Sequence, residues 1–431
     1  MTVFQIVVVG ICTLLNMIDG FDVLAMSFTA PVIAKDWGVD PATLGGLLSA
    51  GLAGMSLGSL FLSPLADVIG RRAVVILSTA IISIGMFAAA AAQGVGDLAA
   101  YRFVTGLGIG ALLSSGNTLL SEYAPARWRD LSISAMVVGY SGGAIIGGSI
   151  SAYLIARFGW RAAFAFGGVC STVLIPIAVL YLPESLDFIL SGKTKDALAR
   201  VNAVLVRLGR ATLMSLPDIA PEERAAKTVV GVFEERFLLG TVLICVSFFM
   251  LMLSFYFVLS WTPKNLVDLG FTVQDGIFAS VLLNAGGIIG GLVFGYFAGL
   301  SSARRLSPYM LTLLFAAIIG YGALHASFAA VMAGAFIAGF FLIGSMASLY
   351  IVVPQIYPVR VRNTGTGLAI GFGRLGAVIG PYLGGLLIEA QWHRFAYYSV
   401  LAIPVLIAAL AVRRIPLLDE ARGEARMVVA A

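Results

Sequence analysis

The sequence predicts an all-α membrane protein with twelve transmembrane helices, arranged as two parallel-repeat six-helix bundles. Three observations predict this fold: an apolar composition, twelve long apolar segments, and residue patterns that recur at one constant spacing. Of the 431 residues, 60% are hydrophobic and only 11% are charged, and the mean hydropathy is +0.99. Because a water-soluble domain carries roughly 25% charged residues, this composition excludes a water-soluble fold.

Each apolar segment is long enough to cross the ~30 Å of hydrocarbon in a bilayer, because a helix rises about 1.5 Å per residue. Nothing basic precedes the first segment and no small-residue cleavage site follows it. We therefore expect a retained helix and not a signal peptide. The twelve predicted segments lie at 4–28, 42–62, 73–93, 97–119, 131–156, 162–182, 237–260, 273–297, 307–327, 329–350, 364–388 and 395–412.

Lysine and arginine residues are concentrated on one side of the predicted membrane. If the N-terminus is cytoplasmic, the loops and tail on that side hold twenty of the 27 basic residues, and the opposite loops hold five. This asymmetry predicts a multi-pass protein of the cell inner (plasma) membrane with both termini cytoplasmic. Positive charges in short loops at the membrane edge favour the lipid bilayer, and not nucleic acid, as a partner. Arg102 and Arg374, the two remaining basic residues, lie inside predicted helices.

One offset of 233 residues relates the two halves of the chain. It carries Arg71-Arg72 onto Arg304-Arg305, and Gly143-Ala144-Ile145-Ile146-Gly147 onto Gly376-Ala377-Val378-Ile379-Gly380. The same offset also relates Glu122, Pro125, Arg127, Arg129 and Asp130 to Gln355, Pro358, Arg360, Arg362 and Asn363. Two halves repeated in the same orientation are one of the known plans of membrane transporters.

The repeat predicts three regions. Residues 1–182 form an N-terminal six-helix bundle, 183–236 a cytoplasmic linker, and 237–431 a C-terminal six-helix bundle with a short cytoplasmic tail. The linker alternates charges, which predicts short amphipathic helices on the cytoplasmic face. Glycines spaced four apart, such as Gly139, Gly143 and Gly147, predict close approach of helix backbones within the bundles.

Two aspartates lie three residues apart in the first segment. A spacing of three places Asp19 and Asp22 on one helix face, and acids inside a membrane are costly enough to indicate function. Two neighbouring carboxylates in a low-dielectric cleft do not both ionise cheaply, so we predict that the pair binds protons for coupling. A capping or helix-packing role is the alternative, and the sequence does not decide which aspartate cycles its proton.

Arg374 lies about ten residues into the eleventh segment, hence ~15 Å deep. An arginine at that depth must face a cavity or a partner, and its fork suits a carboxylate. We predict that Arg374 binds an anionic substrate; a salt bridge to an aspartate of the first segment is the alternative. Arg102, near the outer end of the fourth segment, is explained equally by snorkelling and by proton transfer.

Three further stretches resemble signatures of the major facilitator superfamily. Ser63-Pro64-Leu65-Ala66-Asp67-Val68-Ile69-Gly70-Arg71-Arg72 is similar to the signature between its second and third helices, departing at Ser63 and Val68. Arg102-Phe103-Val104-Thr105-Gly106-Leu107-Gly108-Ile109-Gly110 and Leu182-Pro183-Glu184-Ser185 resemble two others. The resemblance implies the major facilitator fold, alternating access, and a gate at Asp67, Arg71 and Arg72, to which we add Arg102.

Within that superfamily, Asp19-Gly20-Phe21-Asp22 is similar to an element of the aromatic acid:H⁺ symporters. Tyr357-Pro358-Val359-Arg360-Val361-Arg362-Asn363-Thr364-Gly365 and the following Gly371-Phe372-Gly373-Arg374-Leu375-Gly376 resemble their eleventh-helix pattern. The resemblance implies proton-driven uptake of small organic anions, most of all aromatic carboxylates of the benzoate or hydroxybenzoate type. A sugar-type porter, another metabolite porter or a drug or metabolite exporter is the alternative.

Further candidate substrate contacts are Phe21, Tyr256 and Gln355. Aromatic rings stack on an aromatic ligand and an amide binds a hydroxyl, although helix packing and helix–helix hydrogen bonds are alternatives. The three cysteines of the chain lie in apolar segments and lack metal-ligand spacing. The sequence shows no nucleophile–base arrangement and no Walker-type loop. We therefore expect a monomeric transporter and not an enzyme, with no metal and no cofactor; sodium in place of protons stays open.

Overall fold

The computed structural model describes residues 1–190, 196–216, 233–324, 327–357 and 359–416. Twelve of its helices are long and apolar enough to span a membrane, which confirms the predicted number. Helices suit this environment because they satisfy their backbone hydrogen bonds internally, where lipid offers no partner. The twelve helices are α1 Val3–Trp37, α2 Pro41–Leu57, α3 Arg71–Ala91, α4 Val95–Tyr123, α5 Arg129–Phe158, α6 Trp160–Tyr181, α7 Glu235–Asp268, α8 Val273–Leu300, α9 Ala303–Ala323, α10 Phe328–Val352, α11 Val359–Glu389 and α12 Arg394–Arg413.

Two helices extend well past their apolar segments. α1 was predicted to end at residue 28 and continues to Trp37, and α7 was predicted to end at residue 260 and continues to Asp268. Hydropathy marks where lipid ends, whereas a helix ends only where its hydrogen bonding is terminated. In α1 the terminator is Gly38, whose φ of 61° is left-handed and favours glycine.

The chain divides into two compact units. The first unit comprises Met1–Val39 and Ala50–Asp218, and the second comprises Asp40–Ser49 and Ile219–Ala431. The start of α2 therefore belongs to the second unit, where Ser49 Oγ donates to the Val378 carbonyl at 2.7 Å. The predicted bundle at 1–182 places all of α2 in the first unit. Residue patterns along a helix do not indicate which neighbouring helices each half of it contacts.

The two units repeat the same helix pairings. In the first unit α1 packs on α5 and α6, and α3 packs on α4 and α6; in the second unit α7 packs on α11 and α12, and α9 packs on α10 and α12. We call the end of each unit at which its first helix begins the inner end, after the orientation that the charge distribution predicts. The internal repeat read from the sequence is thus present in the packing.

Glycines bring helix backbones into close contact in both units, as predicted. A Cβ added at Gly143 of α5 would collide with the Met17 carbonyl of α1, and one at Gly376 of α11 would collide with the Phe249 carbonyl of α7. Gly106 of α4 and its counterpart Gly339 of α10 likewise lie against backbone carbonyls of α2 and α8. Without a hydrophobic driving force in lipid, such close backbone contact is a main source of helix association.

Part of the predicted linker is described. The linker helix Ala197–Arg207 buries Ala197, Val201 and Val204, with Ile189 in the same apolar cluster. The amphipathic character predicted there is confirmed, and its apolar face serves packing within the first unit. Lys193-Thr194-Lys195, Pro221-Glu222-Glu223-Arg224, Pro358 and the tail after 416 lie outside the described residues.

Candidate functional site

A buried ion pair joins α1 to α4 in the first unit. Arg102 Nη1 lies 2.7 Å from Asp22 Oδ1, and Arg102 Nη2 donates to the Asp22 backbone carbonyl at 2.9 Å. Asp22 is 0% exposed and Arg102 is 3% exposed. Of the two alternatives for Arg102, snorkelling is therefore excluded, because the guanidinium points into the unit toward a carboxylate.

The surroundings of the ion pair are apolar. The Arg102 guanidinium lies 5.7 Å from the centroid of the Phe164 ring of α6, and its Nη1 is 3.6 Å from Met86 Sδ of α3. Gly51 of α2 leaves room for the guanidinium, since a Cβ there would approach Arg102 Nη2 to 3.3 Å. In such surroundings, removing one partner of an ion pair costs about 3–5 kcal/mol, because the other charge is left buried.

One carboxylate oxygen of this pair is available for a proton. Asp22 Oδ2 is buried and has no hydrogen-bond partner among the described residues, while Oδ1 accepts from Arg102. A proton on Oδ2 would neutralise the carboxylate and remove the attraction that holds the arginine. The predicted proton-binding role of Asp19 and Asp22 stays a prediction.

The neighbouring predicted residues of α1 are also buried. Asp19 is 1% exposed and lies one helical turn from Asp22 toward the inner end. Phe21 is 4% exposed; its ring packs against Gly147 and Gly167 and lies 5.6 Å from Phe166, edge to face. The contacts of Phe21 in the first unit are packing contacts, whereas its predicted role toward a substrate stays a prediction.

Arg374 lies in the second unit, at the middle of α11. It is 15 residues from either end of Val359–Glu389, hence about 22 Å along the helix from each. Its neighbour Gly373 packs on Phe248 and Met252 of α7, so that Arg374 is held beside α7. Phe248 in turn contacts Tyr350 of α10, with ring centroids 5.5 Å apart. The glycine that precedes Arg374 and two aromatic rings therefore meet within this unit.

Two predicted substrate contacts lie at other levels of the second unit. Tyr256 follows Phe248 by eight residues, about 12 Å further along α7, and its ring is 5.2 Å from that of Phe255. Gln355 is exposed in the short 3₁₀ turn Val353–Gln355 that follows α10. Their predicted roles toward a substrate remain predictions.

A second polar cluster lies at the inner end of the first unit. Arg71 forms an ion pair with Glu122 and donates to Ser185 Oγ at 2.5 Å. Glu122 also accepts from the Leu186 backbone N–H at 2.9 Å, and Glu184 accepts from the Arg72 backbone N–H at 3.0 Å. The start of α3, the end of α4 and the segment after α6 are therefore fixed to one another.

The remaining predicted gate residues flank this inner-end cluster. The Arg72 guanidinium donates to the Val179 carbonyl, and Asp67 is exposed in the short helix Ala66–Ile69 that precedes α3. Sequence reasoning grouped Asp67, Arg71 and Arg72 in one gate. The contacts described here join Arg71 and Arg72 to Glu122 and Glu184, and the gating role of all of them stays a prediction.

Sequence reasoning missed a pair of arginines that occupy equivalent positions in the two units. Arg161 and Arg394 are 233 residues apart, so the internal repeat itself carried the signal. Arg161 donates to the Ala92 carbonyl after α3 at 2.9 Å and lies 4.2 Å from the Trp160 ring. Arg394 donates to the Leu324 carbonyl after α9 and lies 5.0 Å from the Tyr321 ring.

Twelve helices that are long and apolar enough to span a membrane, in two units with repeated helix pairings, define a multi-pass membrane protein of the transporter type described by an internal parallel repeat. The model of the Major Facilitator Superfamily matches residues 12–317 and 244–427. The chain belongs to this superfamily.

Relatives with known names match nearly the whole chain. The 4-hydroxybenzoate transporter PcaK of Acinetobacter baylyi is 34% identical over 418 residues, covering 95% of this chain and 90% of that protein. The gallate transporter of Pseudomonas putida is 31% identical over 413 residues, covering 95% and 91%. The benzoate transport protein of Acinetobacter baylyi is 27% identical over 425 residues, covering 96% and 90%.

Solved structures support the fold independently. The xylose transporter XylE from E. coli, in a partially occluded inward-open conformation, superimposes with a TM-score of 0.75. The match covers 96% of this chain and 99% of that chain at 14% sequence identity. At that identity the likeness concerns the fold and carries no information about substrate.

Proposed function

We propose that this protein imports small aromatic carboxylates, of the benzoate or hydroxybenzoate type, together with protons by alternating access. It works as a monomer in the cell inner membrane, with both termini cytoplasmic. The substrate class rests on the named relatives, which at 31–34% identity are transporters of 4-hydroxybenzoate and gallate. It also rests on Arg374, because a guanidinium at mid-helix suits a carboxylate that crosses the membrane as an anion.

The observation that carries the coupling is the buried pair of Asp22 and Arg102. An ion pair that is fully removed from solvent contributes little to stability beyond what apolar side chains of similar size would give, so its retention indicates another use. Protonation of Asp22 releases Arg102 from its partner and thereby favours a different arrangement of α1 and α4. Asp19, one turn away, assists by sharing the proton or by setting the local charge.

The inner-end cluster serves as the gate in this proposal. Arg71 and Glu122 are only 15% and 11% exposed, so their ion pair is shielded and hydrogen-bonded by Ser185 and Leu186. Breaking these contacts frees the end of α4 from the start of α3. The same helix α4 carries Arg102 toward its other end, which links the gate to the protonation site through one continuous helix.

The test is uptake of radiolabelled 4-hydroxybenzoate into proteoliposomes that contain the purified protein. An inwardly directed proton gradient should drive accumulation above equilibrium, and a protonophore should abolish it. Saturating unlabelled benzoate should compete with the label, whereas xylose or glucose should not. Empty liposomes under the same gradient control for the passive entry of protonated acid.

Two outcomes would contradict the proposal. Accumulation that follows a sodium gradient and ignores the proton gradient would overturn the coupling ion. Absence of saturable uptake for every aromatic acid, with competition by hexoses or with net outward movement, would overturn the substrate class and favour a sugar-type porter or an exporter.

A further inference from the structure

One tyrosine in the second unit differs from the other polar side chains of its helix. Ser345 and Ser348 of α10 are fully buried, at 0% exposure, whereas Tyr350 is 43% exposed. Tyr350 is nevertheless fixed on one side, because its ring meets Phe248 at 5.5 Å with planes inclined by 71°. Phe248 is 0% exposed and belongs to α7. Tyr350 therefore lies at the junction of α10 and α7 and keeps part of its surface accessible.

Arg374 belongs to the same junction. A Cβ added at its neighbour on α11, Gly373, would come within 2.9 Å of the Phe248 Cβ, so α11 and α10 both contact this phenylalanine. Tyr350 contacts the Phe248 ring, and Arg374 directly follows the glycine that packs on Phe248. One buried phenylalanine is thus shared by the helix segments that carry the guanidinium and the phenol.

The internal repeat marks the same position on α4. Tyr350 corresponds to Asn117 at the offset of 233 residues, and Asn117 is also exposed although its neighbours Ser115 and Gly116 are buried. Each unit therefore carries an exposed hydrogen-bonding side chain at this position of its fourth helix. Both side chains lie in the last two turns of their helices, where an exposed polar group suits a wetted or ligand-bearing surface.

We propose that Tyr350 is a substrate-binding residue whose hydroxyl donates a hydrogen bond to the substrate carboxylate that Arg374 binds. This inference rests on the proposed function, since it assigns a second ligand-binding group to the same site. A carboxylate offers about four acceptor positions, of which a forked guanidinium occupies two. The phenol hydroxyl supplies a third donor without adding charge, so that the site still binds an anion and not a zwitterion.

The test compares Tyr350→Phe with the wild-type protein in KM and in competition constants for benzoate and 4-hydroxybenzoate. The substitution removes one oxygen and keeps the ring that packs on Phe248. Tyr309→Phe is the matched control, because Tyr309 of α9 is 70% exposed and is not part of the junction. Loss of a hydrogen bond to a charged group should weaken binding of both acids about 10-fold or more, and by the same factor.

The outcomes separate this inference from the proposed function. Equal weakening of both acids in Tyr350→Phe, with an unchanged melting temperature and an unaffected Tyr309→Phe, supports it. Unchanged constants in Tyr350→Phe would overturn it while leaving aromatic acid transport in place. Weakening confined to 4-hydroxybenzoate would also overturn it, because the Tyr350 hydroxyl would then bind the ring hydroxyl of that acid and not the carboxylate. If the wild-type protein transports no aromatic acid, the proposed function fails first and this assignment fails with it.

Discussion

At positions related by the offset of 233 residues, the first unit carries Asp22 and Arg102 where the second carries Phe255 and Ala335. The inner ends differ in the same way, because Glu122 of the first unit corresponds to Gln355 of the second. The second unit in turn carries Arg374 where the first has Ser141. The buried Asp–Arg pair and the inner Glu–Arg pair thus belong to one unit, and the half-buried mid-helix arginine belongs to the other.

The helix packing does not share this difference. Gly143 and Gly376 make equivalent backbone contacts, as do Gly106 and Gly339, and Arg161 and Arg394 donate to carbonyls at equivalent places. Small residues and capping arginines are therefore common to both units, whereas ionisable residues in the spanning helices are not. The repeat therefore supplies a common frame for packing, and the ionisable residues of the spanning helices differ between the units.

The largest effect is expected from making the first unit resemble the second at the ion pair. Asp22→Leu leaves the Arg102 charge buried without its carboxylate, so the free energy of unfolding should fall by about 3–5 kcal/mol. The double variant Asp22→Leu/Arg102→Met should recover most of that stability and still lack proton-driven uptake. Thermal unfolding in detergent and uptake in proteoliposomes measure the two quantities. A double variant that retained coupling would remove the functional distinction between the units.

A large effect is also expected at the shared glycines. Gly143→Leu and Gly376→Leu each drive a side chain into a backbone carbonyl that no rotamer change can move, so each should cost about 3 kcal/mol and abolish transport while membrane insertion persists. Gly142→Leu and Gly371→Leu are the matched controls, because nothing lies within 4 Å of a Cβ at either position. Equal behaviour of the variants and their controls would show that close helix contact is not what these glycines provide.

A smaller effect is expected at the inner end. Glu122→Gln gives the first unit the residue that the second unit has at Gln355, and it removes the charge that holds Arg71. Hydrogen bonds to charged groups contribute about 1.5–3 kcal/mol, so a loss of about 2 kcal/mol and faster proteolysis of the loop between α2 and α3 should follow. Gln355→Glu is the reciprocal control and should leave stability within experimental error. Identical cleavage rates in Glu122→Gln and the wild type would show that the Arg71–Glu122 ion pair does not hold the ends of α3 and α4 together.

The smallest effects are expected at the repeated arginines, and they should be unequal. Arg394 is 9% exposed between Tyr321 and Tyr398, whereas Arg161 is exposed over Trp160. Cation–π contacts contribute about 2 kcal/mol when desolvated and about 0.5–1 kcal/mol at the surface. Arg394→Ala should therefore lower the melting temperature more than Arg161→Ala does. Scanning calorimetry of the two variants measures this difference. The reverse order would mean that burial does not govern these contacts.

Much of the fold could be predicted from the sequence, because lipid imposes strict rules on length and composition. The number of helices, the repeat and the glycine contacts all followed from patterns that a bilayer enforces. The extension of α1 to Trp37 and the placement of Asp40–Ser49 with the second unit did not follow. Both depend on where polar helix ends find partners, which hydropathy does not record.

The buried ionic residues of α1 and α4 were named from the sequence, but their pairing was not. Asp22 and Arg102 were both named, yet their 80-residue separation gave no sign that they form one ion pair. The cost of buried charge identifies residues that need partners, whereas the choice among partners is made by helix packing. Tyr350 and the arginines at 161 and 394 were within reach of the sequence, since the same 233-residue offset relates them to Asn117 and to each other.

The central claim is that the carboxylate paired with Arg102 carries the coupled proton. Asp22→Asn keeps the size of the side chain and removes its titration, so it tests that claim most directly. Exchange of labelled for unlabelled 4-hydroxybenzoate across the proteoliposome membrane should persist in this variant, while accumulation driven by a proton gradient should be lost. Accumulation at the wild-type level by Asp22→Asn would contradict the account.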